Sequence, residues 1–144
     1  MDLDLLLLPD VIKKEVVIED DNWIDTLVEL QSYFLQYEIY ITGPLIFTRE
    51  MIGLSTYKYT IFIPIDREIS LESNSDLEYI PIFDVAPTVS QRCLSEDEFE
   101  ETYNKIENFA NENNISLKQQ PYYHVMIDVL GDSIFDIYAE IEMD

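Results

Sequence analysis

The stretch 121–142, PYYHVMIDVLGDSIFDIYAEIE, decides how this chain folds. Two runs rich in aromatic and branched residues flank LGDS (130–133), the signal of a hairpin turn. Neighbouring residues in a strand point to opposite faces. In the second run Phe135, Ile137, Ala139 and Ile141 form a core face, with Asp136, Tyr138, Glu140 and Glu142 on the other. In the first run Tyr123, Val125, Ile127 and Val129 form the better core face, which leaves Tyr122, His124, Met126 and Asp128 outside. On this phasing the single histidine, His124, shares an open face with Tyr122, Asp136, Tyr138 and Glu140.

Upstream, residues 94–115 change period. Phe99, Tyr103, Ile106 and Ala110 make a helical stripe with Phe109 alongside, and Ser95 with Glu98 is spaced as a capping box. Acid in the first turn suits the helix dipole. Glu96, Asp97, Glu100, Glu101 and Glu107 share the polar side, which is a solvated face or a dock for a basic partner. Residues 77–93 read as an extended strand, with Pro81 and Pro87 limiting its pairing.

The first half repeats the order. VIKKEVVIED (11–20) is a strand. Trp23, Leu27, Leu30 and Phe34 then fall at helical spacing, with Ile24, Val28 and Leu35 beside them and Asp21 or Asn22 as the cap. Residues 40–50 form a strand interrupted by Gly43-Pro44, and STYKYTIFIPID (55–66) a clearer one; polar residues 67–76 form the midpoint loop. The expected architecture is α+β: a duplicated β-α-β-β in one domain spanning 1–144, with pseudo-repeats at about 11–66 and 77–144. A curved antiparallel sheet carries both helices on one face.

Thirty acidic residues against eight basic ones give a formal net charge of −22. Affinity for nucleic acid comes from cations that neutralise phosphates, so this balance excludes a phosphate-tracking role; anionic membrane surfaces are disfavoured likewise. A basic protein, a basic peptide or an organic cation is attracted. The lone cysteine, Cys93, excludes an internal disulfide and fits a reducing compartment. The N-terminal MDLDLLLLPDV lacks a basic leader region and is too short to span a bilayer, so the expected location is the cytoplasm. No Ser or Cys nucleophile is placed beside His124, and one His with one Cys cannot make a zinc site alone. Neither catalysis nor a metal or cofactor is expected.

The helix followed by GPLIF (43–47), the strand YKYTIFIPID (57–66), the Ser-capped acidic helix and the closing hairpin together resemble the GyrI-like domain, the effector-binding fold of the BmrR type. The resemblance covers nearly the whole chain. It implies a groove that meets a cationic ligand with a carboxylate. The first-half strand offers Thr60 and Phe62 on the corresponding face, and only the second half supplies acids, Asp136 and Glu140. The same pattern resembles a small Firmicutes family encoded near type VII secretion and LXG-toxin genes. That likeness implies a non-enzymatic adaptor, chaperone or immunity factor whose partner is a toxin or secretion component with a basic surface. The alternative is a domain that binds a small organic cation at Tyr122, His124, Asp136, Tyr138 and Glu140.

Overall fold

The computed structural model describes residues 3–19, 23–54, 56–71, 76–129 and 132–142. The fold is α+β. Its elements are β1 (Leu3–Glu19), α1 (Trp23–Gln36), β2 (Leu45–Met51), β3 (Thr56–Pro64), β4 (Leu77–Cys93), a 3-10 turn (Glu96–Glu98), α2 (Phe99–Glu112), β5 (Leu117–Val129) and β6 (Asp132–Ile141). The expected cap at Asp21 or Asn22, much of the 67–76 loop and the Leu130-Gly131 part of the hairpin turn lie outside the described residues. The chain divides into two compact units, Leu8–Phe83 and Met1–Leu7 with Asp84–Asp144.

In the Leu8–Phe83 unit, β3 is the central strand. It pairs antiparallel with β1, from Val11↔Pro64 to Glu19↔Thr56, and with β2, from Ile46↔Phe62 to Met51↔Tyr57. The register lines up Ile12, Ile63, Phe47 and Ile61 on one face, all buried. Leu30 and Phe34 of α1 are buried with them. Val28 and Leu35, expected beside that stripe, are instead exposed; helical spacing carries them to the outer side of α1. The start of β4 belongs to this unit, and Phe83 packs on Phe62 with ring centroids 4.7 Å apart. Each of these rings contributes about 2–3 kcal/mol by leaving water.

In the other unit β6 is central. It pairs antiparallel with β4, from Thr88↔Glu140 to Cys93↔Phe135, and with β5, from Tyr122↔Ala139 to Val129↔Asp132. Phe99, Thr102, Ile106 and Ala110 form the buried stripe of α2. Phe99 meets Phe135 edge to face at 4.8 Å, which identifies the Phe135–Ile137–Ala139 face as the one under α2.

Three further expectations change. The first strand begins at Leu3 rather than residue 11, because the leucine run alternates, with Leu6 buried between exposed Leu5 and Leu7. Ser95 makes no side-chain cap bond to a backbone amide; it precedes the 3-10 turn, and α2 begins only at Phe99. The third change, the phase of β5, decides the site.

Candidate functional site

The β5–β6 register places His124 opposite Ile137, Tyr122 opposite Ala139 and Met126 opposite Phe135. Directly paired residues share a face. His124 and Tyr122 therefore lie under α2, not on the open face with Asp136, Tyr138 and Glu140. The sequence phasing of β5 was off by one residue, which moves every side chain to the other face.

The α2 side forms a packed polar–aromatic cluster. His124 is 1% exposed, and its Nε2 lies 2.5 Å from the Tyr103 hydroxyl. The Phe99 ring sits 4.8 Å from the imidazole. Tyr103 also stacks on Tyr122 at 4.3 Å, with the rings 12° from parallel. The Tyr122 hydroxyl donates to Glu107 Oε1 at 2.9 Å. Burial pushes the Tyr122 pKa well above its ordinary value, and the bond to Glu107 adds to that. A buried polar group needs such a partner, since burying it unpaired costs about 1–3 kcal/mol. Tyr122 and Glu107 border an open cavity of about 380 Å³ with Leu117, Lys118 and Pro121.

The opposite face holds the other three expected residues and adds four that were missed. Tyr138 faces Tyr123 across the β5–β6 pair and Ser90 across β4–β6. Glu140 faces Thr88, and Asp136 faces Arg92. Arg92 grips Asp136 through two bonds, Nε at 2.8 Å and an Nη at 3.1 Å. Such a fork is geometrically specific and holds both side chains in place. Among the described residues Glu140 has one ion-pair contact, with Lys118 Nζ at 3.0 Å. Two acids on or beside this face are thus matched by two bases. Burial raises the pKa of Tyr123, and the Glu140 charge raises it further. Thr88 is fully buried, and its hydroxyl has no hydrogen-bond partner among the described residues.

The acids expected to meet a protein partner lie along the 3-10 turn and α2. Asp97, Glu100, Glu101 and Glu107 are exposed and Glu96 is half-buried. Glu101 approaches Lys105 at 3.8 Å. The expected ligand set is thus split between two faces of one sheet, and the acidic set meets it at Tyr122, where Glu107 accepts a hydrogen bond and the Glu100 charge also acts.

Cys93 is buried, and its thiol donates to the Ser95 carbonyl at 3.0 Å. Among the described residues no group of three His, Cys, Asp or Glu side chains is placed to hold a metal ion. Among them, too, no helix is long and apolar enough to cross a membrane.

The fold is similar to that of the EcmrR C-terminal domain, at 13% identity and a TM-score of 0.66, with 99% of this chain and 98% of that one covered. It is similar to a hydrolase from Listeria innocua, at 8% identity and a TM-score of 0.63, covering 97% and 91%. It is also similar to SAV2435 bound to tetraphenylphosphonium, at 8% identity and a TM-score of 0.54, covering 99% and 94%. At such identities the likeness is one of fold, and it agrees with the GyrI-like resemblance. No curated protein matches the sequence. Residues 7–144 match the family described as Domain of unknown function (DUF5085), and the chain belongs to that family.

Proposed function

We propose that this chain is a small-molecule-binding domain, without catalysis of its own, for a lipophilic aromatic cation. The observation that carries the reading is the pairing of Tyr138 with Tyr123, with Glu140 next along the same face. Aromatic ring faces attract a cation, and a half-buried carboxylate beside them completes its charge. Glu140 is the acid a ligand can take over. Its partner Lys118 is a long side chain that is 52% exposed, whereas Asp136 is held by the Arg92 fork.

Tetraphenylphosphonium bound to a protein of similar fold supports the ligand class. The burial of His124 under α2 and of the Cys93 thiol supports binding over chemistry, since neither offers a reacting atom to solvent. The similar structures favour this reading over an adaptor, chaperone or immunity role toward a secreted toxin, for which none of them speaks.

Isothermal titration with tetraphenylphosphonium tests the reading. Tyr138→Ala and Glu140→Gln are each expected to weaken binding by about threefold to thirtyfold, the range for a cation–π or ion contact that is partly desolvated. Equal affinity for both variants and the unaltered chain would remove the site.

A further inference from the structure

The Leu8–Phe83 unit contains a second feature with ligand chemistry, on the flank of α1. A cavity of about 310 Å³ is bordered by Leu30 and Leu77, by Tyr33, and by Glu29, Asp76 and Lys14. Leu30 is buried and provides an apolar floor, while the Tyr33 ring is 46% exposed and forms a wall. Spacing explains why these groups meet. Glu29, Leu30 and Tyr33 follow one another around a single flank of the helix, with Thr26 one turn earlier.

The charges are not balanced as they are beside Tyr138. Lys14 donates to Asp76 at 2.8 Å, and that bond lowers the Asp76 pKa, so these two charges answer each other. Glu29 has no ion-pair partner among the described residues, which leaves one carboxylate beside an aromatic wall and an apolar floor. The Tyr37 ring lies 5.0 Å from that of Tyr33 and tilted 52° to it but is not part of the cavity lining, so a flat aromatic cation has a single described ring to lie against inside the cavity. A slender alkyl chain ending in a charged nitrogen fits better: the chain lies on Leu30 and Leu77, and the head lies between the Tyr33 ring and the Glu29 carboxylate.

We propose that this cavity binds an alkylguanidinium or alkylammonium group. The group has two sources, a free alkyl cation or an arginine or lysine side chain of a protein partner. A chain with a net charge of −22 draws both toward it. The site involves none of the residues in the proposed aromatic-cation site, so either can fail while the other stands.

The test is an amide-shift titration of the isotope-labelled full chain with butylguanidinium, at about physiological ionic strength. Saturable shifts confined to the amides of Thr26–Tyr33 and of residues 76–77 are expected. Glu29→Gln and Tyr33→Leu should each weaken them about tenfold while tetraphenylphosphonium affinity is unchanged. A capped arginine peptide that binds about tenfold more tightly than butylguanidinium assigns the site to a protein partner; equal affinity assigns it to a free alkyl cation. Shifts spread over the acidic residues of α2 and abolished by added salt would overturn the proposal. So would unchanged binding in both variants.

Discussion

Replacing Lys118 with alanine should strengthen binding of an aromatic cation. In the free chain the Lys118 ammonium lies 3.0 Å from a Glu140 oxygen, and a ligand cation at that carboxylate has to displace it. The lysine side chain is 52% exposed and the glutamate 23%, so the pair is a partly solvated one. Such pairs are worth about 0.2–1 kcal/mol. Lys118→Ala removes that competing term, and affinity for tetraphenylphosphonium should rise by about 1.4-fold to fivefold. The substitution also makes the chain more negative by one charge, which would attract any cation slightly. Lys105→Ala makes the same change of net charge on α2, where Lys105 pairs with Glu101 among the described residues. Calorimetry on both variants at one ionic strength separates the local effect from the general one. Tighter binding in Lys118→Ala and not in Lys105→Ala is the predicted result. Equal gains in the two, or weaker binding in Lys118→Ala, would refute the assignment of Glu140 as the carboxylate that meets the ligand.

Other outcomes follow from the packing. His124→Ala removes a 1%-exposed side chain and the partner of the Tyr103 hydroxyl, and should cost about 2–4 kcal/mol in urea unfolding without altering tetraphenylphosphonium affinity. Cys93 should react with a thiol reagent only as fast as the chain unfolds, because its thiol is buried and bonded to the Ser95 carbonyl. Tyr122 and Tyr123 have pKa values raised by burial, so their contribution to stability is complete below the unfolded value of about 10 and is lost as the pH rises beyond it. Thermal unfolding followed from neutral to alkaline pH should show melting temperatures falling above about pH 10, with a shallower fall in Tyr122→Phe.

The helices and most strands were legible because their signals are local. Phe99, Ile106 and Ala110 recur at helical spacing and are buried as that spacing requires. In β6 acids alternate with apolar residues, so its two faces could be told apart and Phe135, Ile137 and Ala139 face α2. β5 offered no such contrast. Tyr122, His124 and Met126 on one side and Tyr123, Val125 and Ile127 on the other are both apolar enough to face a helix. Only pairing with β6 decides between them, and pairing is a long-range property. One signal was available. Val129 pairs with Asp132, and the register runs unbroken from there to Tyr122↔Ala139. Fixing the end of the hairpin fixes His124 opposite Ile137 and reveals Tyr123 opposite Tyr138. The shift between Leu117 and Tyr122 comes after this run, so local alternation through Lys118–Pro121 could not have supplied the phase.

Arg92 and Lys118 were overlooked for a related reason. Each neutralises an acid on another strand, Asp136 and Glu140, and sequence distance hides both pairs. Their presence turns a face expected to offer carboxylates beside aromatic rings into one where a ligand must compete for its carboxylate.

The central claim is that the ligand lies on the Tyr123–Tyr138 face and not against α2. Chemical-shift mapping of amides and side chains in the labelled chain with tetraphenylphosphonium tests it directly, because side chains of the two faces alternate along the same strands. The account predicts the largest changes in the side-chain signals of Tyr123, Tyr138 and Glu140 and in the amides of Thr88–Arg92, with the Tyr103 and His124 ring signals unmoved. Changes centred on Tyr122, Glu107 and Leu117, or no saturable change at all, would contradict it.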